Sequence, residues 1–237
     1  MIEIQHTEHD SRALRLAYDT FYRHTTTEHD QSYYRWILDH LQPRAGSTML
    51  DICCGTGKLA ELARARNVDA AGIDFSFVAL QQAHAPVAVS DAEQLPFLDA
   101  AFDYVVNLGS LEHLADMEAG VAEMTRVLKP GGVCCVLVPN TFGLLWTIRR
   151  AKQIGDIDDD GQPLQRYGTR LQWQAILERG GLQVQHVIGY ELPPPRTLQQ
   201  WVTYVRNPWY RLFPLMLWRF VPVNLASMLV YFCTRPA

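Results

Sequence analysis

From about residue 48 onward, short apolar runs alternate with amphipathic stretches of helical length, and this alternation restricts the fold more than any other feature of the chain. Strands separated by helices of roughly ten residues require right-handed crossovers, which place the strands parallel in one sheet. The expected helices are 58–66, 76–84, 116–128 and 169–179. The expected strands are 48–53, 68–73, 87–90, 102–108, 133–138, 182–190 and 227–233. The pattern predicts an α/β fold with a doubly wound sheet of seven strands.

Length and composition fit a single domain covering residues 1–237. Hydrophobic residues make up 48% of the chain and charged residues 19%, which provides apolar material for a core and excludes general disorder. Apolar and aromatic residues at three-to-four spacing predict helices in 1–45. Residues 139–168 show little periodicity and predict a loop with a short helix, and 193–222 form a hydrophobic insertion before the last strand.

Charge is distributed unevenly along the chain. The formal net charge of −4 excludes a nucleic-acid binder by bulk electrostatics. From Leu192 to Ala237, however, the chain has five arginines, nine aromatic residues and no aspartate or glutamate. The insertion 193–222 within this stretch has three interpretations. It covers the sheet edge, it forms a lid over an apolar and even anionic acceptor, or it contacts a membrane interface, where Trp, Tyr and Arg are favoured.

Cysteine and histidine usage favours neither disulfides nor a metal site, and no metal is expected. The five cysteines include no CxxC pair, and adjacent strand residues point to opposite faces, so neither vicinal pair suits one ion. Four of the eight histidines lie in the first 29 residues, where His and acids before amphipathic helices are more often caps than ligands.

The N-terminus has no secretion-signal layout, and no run of 18 apolar residues occurs. The predicted location is therefore the cytoplasm, and peripheral contact with the inner face of a membrane through 193–222 is an open alternative. The oligomeric state is not predicted by the sequence.

Acidic residues and glycines follow the predicted strands at the edge where an open α/β sheet binds ligands. Gly55 and Gly57 permit a tight turn after the first strand, and with Asp74 they also fit a dinucleotide fingerprint. Asp51 argues against a dinucleotide, because a carboxylate ~4 Å from a pyrophosphate is repelled by about 1 kcal/mol in water and by more near a protein surface. It suits the ammonium of an amino acid. With Asp91 after the third strand, three acids predict a cationic ligand that joins an amino acid to an adenosine, namely S-adenosylmethionine.

Several motifs in order resemble those of class I S-adenosylmethionine-dependent methyltransferases. Residues 49–57, Met-Leu-Asp-Ile-Cys-Cys-Gly-Thr-Gly, resemble the first motif, and 72–76, Gly-Ile-Asp-Phe-Ser, the second. Residues 91–97, Asp-Ala-Glu-Gln-Leu-Pro-Phe, with 102–105, Phe-Asp-Tyr-Val, resemble the third and fourth. The chain departs from the family at Cys53, where the family usually has glycine and where a side chain would crowd the methionine part of the cofactor.

The stretch Leu111-Glu112-His113-Leu114, followed by 126–132, is similar to the small-molecule branch of that family, which includes quinone-biosynthesis methyltransferases. The resemblance is close over 47–138 and looser over 169–191 and 227–235. It implies a Rossmann-like sheet whose last strand is antiparallel and lies between the fifth and sixth.

The resemblance also assigns roles along the chain. Residues 46–138 would form the cofactor-binding core, 1–45 a helical lid, and 139–168 with 193–222 the substrate side. The residues that would bind the cofactor, S-adenosyl-L-methionine, are Asp51, Cys53, Gly55, Thr56, Gly57, Asp74, Phe75, Asp91, Ala92, Glu93, Asn107, Leu108, Gly109, Tyr18 and Tyr22.

The predicted reaction is methyl transfer to a small or lipid-like molecule by in-line displacement. A general base is needed only when the acceptor is a hydroxyl or a protonated nitrogen, and His113 is the candidate. His113 could instead cap or pack the start of the next helix. The alternatives for the whole chain are a nicotinamide-dependent oxidoreductase and a non-catalytic cofactor-binding protein of the same fold. No nucleic-acid partner is expected.

Overall fold

The computed structural model describes residues 1–6, 11–24, 30–156, 159, 161–191 and 220–236. Most of the predicted insertion 193–222 therefore lies outside the described residues.

Nine strands and seven α-helices make up the described part of the chain. The strands are β1 (Ile2–Gln5), β2 (Thr48–Ile52), β3 (Asp69–Asp74), β4 (Val87–Val89), β5 (Phe102–Leu108), β6 (Leu128–Pro139), β7 (Leu164–Tyr167), β8 (Gln183–Tyr190) and β9 (Met228–Thr234). The helices are α1 (Ser11–His24), α2 (Gln31–Leu41), α3 (Lys58–Arg64), α4 (Phe77–Leu80), α5 (Met117–Val127), α6 (Leu144–Gln153) and α7 (Arg170–Arg179).

Seven of the strands form one mixed sheet in the order β4-β3-β2-β5-β6-β9-β8. All neighbouring pairs from β4 to β6 are parallel, and β9 runs antiparallel to both β6 and β8. The sequence prediction of a seven-stranded sheet whose last strand is antiparallel and lies between the preceding two is confirmed. The order reverses between β2 and β5, which is the switch point at which open α/β sheets bind ligands.

Helices cover both faces of the sheet, and each face has its own apolar core. Along β6, Cys134 and Val136 pack with α5 and α7 on one face, whereas Cys135 and Leu137 pack with α2 and α3 on the other. This alternation is the period of two that a strand buried on both sides requires. The apolar runs of the sequence are continuous for the same reason.

The structure corrects the sequence prediction for residues 1–45 and 139–168. The two helices α1 and α2 are present, but a strand, β1, precedes them and pairs antiparallel with β7, from Ile2 opposite Tyr167 to Gln5 opposite Leu164. Residues 139–168, predicted as a loop with a short helix, contain both α6 and β7. β1 and β7 have four residues each and lie outside the alternation of strands and helices that revealed the three-residue strand β4, and the partner of β1 lies far along the chain.

Two element boundaries also differ from the prediction. The helix expected over 76–84 is the single turn α4, because residues 81–86 form turns before β4. The strand expected to begin at 133 begins at Leu128 and includes Pro130 and Gly131. No helix among the described residues is long and apolar enough to cross a membrane.

Candidate functional site

The carboxyl ends of β2, β3, β4 and β5 surround a cavity of about 330 Å³, which α1 and α2 border on the other side. The cavity is lined by Leu14, Tyr18, Tyr22, Tyr33, Tyr34, Asp51, Cys53, Cys54, Gly55, Thr56, Asp74, Phe75, Ser90, Asp91, Ala92, Glu93, Leu108, Gly109, Ser110, His113, Leu114, Ala115 and Gln162.

Two buried carboxyl groups lie at the ends of adjacent strands. Asp51 is 4% exposed, and burial together with the charge of Asp74 raises its pKa to about 8. Asp74 is 2% exposed and accepts hydrogen bonds from the backbone N–H groups of Gly55 and Ser76, both at 2.9 Å. Burial raises the pKa of Asp74, and these backbone donors oppose the rise. A ligand cation beside the pair would relieve the cost of burying them.

The turn between β2 and α3 brings backbone close to the cavity. Gly55 and Gly57 have φ angles of +54° and +69°, and Gly57 lies at the start of α3. A Cβ at Gly57 would lie 3.2 Å from Val87 Cγ1, so this position needs glycine for its packing and its backbone. Cys53 adopts φ +57°, which is uncommon for a residue with a side chain. Burial raises the pKa of the Cys53 and Cys54 thiols, so both are neutral.

The turn after β4 supplies the third side of the cavity. Asp91 Oδ1 accepts a hydrogen bond from the Glu93 backbone N–H at 2.9 Å, and Glu93 Oε1 accepts one from the Asp116 N–H at 2.9 Å. Ala92 is buried between them. Burial raises the pKa of Glu93. These contacts fix both carboxyl groups at the cavity wall.

Aromatic residues of α1 line the cavity. The Tyr18 ring lies 5.4 Å from the Phe75 ring and 6.4 Å from the Tyr22 ring, centroid to centroid. Tyr18 is 5% exposed, and its hydroxyl donates to the Leu164 carbonyl at 3.4 Å. The same carbonyl therefore connects α1 to β7.

His113 lies in a 3₁₀ turn after β5, on the cavity wall. Its Nδ1 lies 2.5 Å from the carbonyl oxygen of Leu164. Since a carbonyl oxygen only accepts, Nδ1 must carry the proton, and in the neutral ring Nε2 is then the acceptor. Glu112 Oε1 lies 3.9 Å from that Nε2, and Glu112 is 3% exposed. A proton taken up at Nε2 would therefore be held beside a buried carboxylate.

Most of the predicted site residues are brought together here. Gly57 and Asn107 are exceptions, because neither lines the cavity: Gly57 shapes the turn behind it, and Asn107 is fully buried and donates to the Ile52 carbonyl at 3.3 Å. The lining residues that sequence reasoning missed are Leu14, Tyr33, Tyr34, Cys54, Ser90, Ser110, Leu114, Ala115 and Gln162. Tyr33 and Tyr34 belong to the amphipathic pattern that predicts α2, but that pattern does not indicate which of its residues face a ligand. No sequence signal marked Gln162.

The charge of the cavity wall is one-sided. Four carboxyl groups and no lysine or arginine occur among the lining residues that the structure describes. No group of three His, Cys, Asp or Glu side chains within the described residues is placed to hold a metal ion. The wall therefore suits an organic cation, and it would repel a pyrophosphate.

Comparison with protein families gives the same assignment as the cavity. Residues 50–136, from the middle of β2 to the middle of β6, match the family described as a methyltransferase domain. Over these residues, the chain is similar to the class I S-adenosylmethionine-dependent methyltransferases. The cofactor of the family, S-adenosylmethionine, carries a sulfonium and an ammonium, and the four carboxyl groups of the cavity fit these charges.

Curated relatives in this family match about half of the chain. A demethylmenaquinone methyltransferase of Desulfitobacterium hafniense is 37% identical over 118 residues, which cover 44% of this chain and 47% of the relative. A 27-O-demethylrifamycin SV methyltransferase of Amycolatopsis mediterranei is 34% identical over 128 residues, 47% of each chain. The chain thus spans about half the length of the curated relatives that it matches.

Solved structures share the fold over a longer stretch. A chain in the complex of the Haloferax volcanii Trm112 methyltransferase activator with a methyltransferase covers 95% of this chain and 98% of its own, with a TM-score of 0.68 and 19% identity. Geranyl diphosphate C-methyltransferase from Streptomyces coelicolor, in complex with S-adenosyl-L-homocysteine, covers 86% of this chain and 80% of its own, with a TM-score of 0.59 and 16% identity. At such identities the likeness concerns the fold alone.

Proposed function

We propose that this protein transfers a methyl group from S-adenosylmethionine to a small or lipid-like molecule. The observation that carries the proposal is the ring of four carboxyl groups around the cavity at the switch point of the sheet, with no cationic side chain among its described lining residues. S-adenosylmethionine supplies a methyl group that is already activated by a positively charged sulfur, so the protein has to bind, orient and exclude water.

Individual residues have distinct roles in this proposal. Asp51 holds the ammonium, and Gly55 with Thr56 brings backbone beside the methionine part. Asp74 accepts hydrogen bonds from the ribose hydroxyls, and Phe75 packs against the adenosine. Glu93, beside Asp91 and Ala92, borders the adenine. Leu108 and Gly109, at the end of β5, lie next to the reacting centre, and Cys53 narrows the methionine end of the cavity. Tyr18 and Tyr22 close the cavity from α1.

His113 is proposed as the general base for an acceptor that carries an exchangeable proton. The acceptor heteroatom forms a bond to the methyl carbon, the carbon–sulfur bond breaks with its electron pair passing to sulfur, and the acceptor proton moves to His113 Nε2. The Leu164 carbonyl fixes the tautomer that leaves Nε2 as acceptor, and Glu112 stabilises the resulting imidazolium.

The names of the relatives support a small-molecule acceptor, since one acts on demethylmenaquinone and another on a demethylated rifamycin. Peripheral contact with a membrane through 193–222 remains a prediction. Co-sedimentation with anionic liposomes tests it by comparing the wild type with a variant in which Arg206, Arg211 and Arg219 are changed to glutamate. Equal binding of the two proteins, or none by either, would rule the contact out.

Calorimetry with S-adenosylhomocysteine and with NAD separates the methyltransferase from the oxidoreductase alternative. We expect saturable heat with S-adenosylhomocysteine and none with NAD, because no lysine or arginine among the described lining residues could balance the charge of a pyrophosphate. Binding of NAD but not of S-adenosylhomocysteine would refute the proposed function. A radiolabelled methyl group transferred from S-adenosylmethionine to a compound in cell extract would exclude a purely cofactor-binding role.

The ribose role of Asp74 has a matched control on the same strand. Asp74 ends β3, whereas Asp69 begins it and has an exposed side chain that pairs with Arg64 at 3.1 Å. Asp74→Asn should weaken S-adenosylhomocysteine binding by roughly 10- to 100-fold, the effect of one or two hydrogen bonds to a charged group. Asp69→Asn should leave it unchanged. Normal binding by a folded Asp74→Asn protein would remove the assignment.

A further inference from the structure

Arg166 is a buried cation outside the cavity lining, and two of its three hydrogen-bond partners are main-chain carbonyls next to His113. The side chain is 5% exposed and lies on β7, opposite Glu3 of β1. Its Nε donates to Glu3 Oε2 at 2.6 Å, and its Nη1 donates to the carbonyls of Leu114 at 2.5 Å and Glu112 at 3.4 Å. The carboxylate balances the charge of this buried guanidinium, and three of its five N–H groups have acceptors in Glu3, Glu112 and Leu114.

The two carbonyls that Arg166 binds flank His113 in the chain. The ring of His113 is bonded to the same strand, because its Nδ1 faces the carbonyl of Leu164, two residues before Arg166. β7 thus holds His113 in two ways. The Leu164 carbonyl binds its ring, and the Arg166 side chain binds the backbone carbonyls on either side of it. Glu112, with Oε1 at 3.9 Å from Nε2, and the Tyr18 ring at 6.1 Å also face the His113 ring.

We infer that Arg166, held by Glu3, is a positioning residue that keeps the His113 ring aligned with the Leu164 carbonyl and so selects the Nδ1–H tautomer. Without Arg166, the carbonyls of Glu112 and Leu114 lose the side chain that donates to them. The backbone of His113 is then no longer tied to β7, and its imidazole is not held against the Leu164 carbonyl. The catalytic meaning of this tautomer rests on the proposed function, but the tautomer itself is a property of the free protein.

The test is nitrogen-15 NMR of the histidine side chains in the full chain without cofactor, with the His113 signals assigned by their loss in His113→Gln. We expect the Nδ1–H tautomer in the wild type. Arg166→Gln should move the tautomer ratio about fivefold towards Nε2–H, the equilibrium effect of one neutral hydrogen bond. Arg166→Lys retains the charge opposite Glu3 and should shift the ratio less. Arg179→Gln, which removes an exposed ion pair with Glu118, is the control and should shift nothing.

Binding of S-adenosylhomocysteine to the same samples distinguishes positioning from general loss of structure. The acids assigned to the cofactor lie at the ends of β2 and β3 and in the turn after β4, and Arg166 contacts none of them, so Arg166→Gln should change the Kd of S-adenosylhomocysteine by no more than about twofold. If Arg166→Gln does not fold, Glu3→Gln weakens the anchor of Arg166 and should shift the ratio in the same direction. A wild-type Nε2–H tautomer, or a ratio that neither variant moves, would overturn the inference. Failure of the proposed function would appear instead as loss of cofactor binding with the tautomer intact.

Discussion

Asp51 is buried at the end of β2, and the charge of the Asp74 carboxylate disfavours ionisation of the Asp51 carboxyl group. Its pKa of about 8 in the folded protein exceeds the ordinary value of 3.8. The folded state therefore binds a proton that the unfolded state has lost, and stability falls as pH rises from about 4 to about 8. Above pH 8 both states are ionised and the fall ends.

Asp51→Asn should remove this pH dependence. Between pH 5 and 8 the wild type should lose about 4 kcal/mol relative to the variant, at about 1.4 kcal/mol per pH unit. Urea unfolding at the two pH values measures the difference. Asp103→Asn is the control. The backbone N–H of Thr48 lowers the pKa of Asp103 to about 2, so Asp103 stays ionised at both pH 5 and pH 8, and the substitution should change the free energy of unfolding by the same amount at each pH. If the free energy of unfolding changed with pH equally in the wild type and in Asp51→Asn, the raised pKa of Asp51 would be contradicted.

Cys53 stores backbone strain at the wall of the cavity. A non-glycine residue at its φ of +57° is disfavoured by roughly 1–2 kcal/mol, and glycine is not. Cys53→Gly should therefore raise the free energy of unfolding by about 1 kcal/mol, measured by urea denaturation. Cys54→Gly is the matched control and should lower it, because Cys54 Sγ fills the space that a Cβ at Gly72 would occupy. A loss of stability in Cys53→Gly would show that its side-chain packing outweighs the strain.

The acids of the site could be predicted from the sequence because each one directly follows an apolar run. Parallel strands bring their carboxyl ends to one edge, so Asp51, Asp74 and Asp91 had to be neighbours once the strands were recognised. The contact of His113 could not be predicted in this way. Its partner is a main-chain carbonyl on a four-residue strand, and no residue type marks that atom.

At the scale of elements, two hydrogen bonds tie α7 to the sheet, one to β6 and one to β9. Trp173 is fully buried, and its Nε1 donates to the carbonyl of Pro139 at the end of β6, at 2.8 Å. Tyr231 of β9 donates to the carbonyl of Arg170 at the start of α7, at 2.7 Å. Gly168 makes room for the indole, since a Cβ there would lie 2.7 Å from Trp173 Cε2.

Trp173→Phe should cost more stability than Tyr231→Phe. The first removes a hydrogen bond and part of a buried ring, for a loss of about 2–3 kcal/mol, and the second removes a hydroxyl alone, for about 1 kcal/mol. Chemical denaturation of both variants and the wild type provides the comparison. The reverse order would mean that the indole is not the main anchor of α7.

Most of the elements that sequence patterns predicted are long enough to show a helical or strand period, and the three-residue strand β4 was predicted from its place in the alternation of strands and helices. α2 and α7 show apolar residues at helical spacing, and β5 and β6 are apolar runs of strand length. β1 and β7 pair with each other although about 160 residues separate them in the sequence. Neither strand has a local pattern that distinguishes it from a loop.

For the whole molecule, cofactor binding and proton binding are coupled through the cavity. Asp51 is mostly protonated at pH 7 in the free protein, given its pKa of about 8, and it must ionise to face an ammonium group. S-adenosylhomocysteine should therefore displace about one proton at pH 7. Calorimetry in buffers of different ionisation enthalpy measures the number. Asp51→Asn, titrated at higher ligand concentration, should release almost no protons on binding. An equal release of protons by both proteins would show that another group titrates.

The uneven charge distribution seen in the sequence is resolved only in part by the structure. The acidic part of the chain contributes the four carboxyl groups of the cavity. Four of the five C-terminal arginines lie outside the described residues, and the fifth, Arg235, donates to the carbonyls of Arg126 and Leu128 beside the start of β6. That arginine therefore has a structural contact and none with the cavity.

The carbonyl of Leu164 accepts hydrogen bonds from both Tyr18 of α1 and His113, and this shared contact restricts how the chain can evolve. Every amino acid presents the same main-chain oxygen, so substitutions at position 164 can vary in side-chain identity while the contact persists. Selection would act on the offset between β1 and β7, because a shift of one residue would exchange the two faces of the strand and move Arg166 away from the turn. Insertions and deletions in residues 2–5 or 164–167 should therefore be rarer among functional homologues than substitutions there.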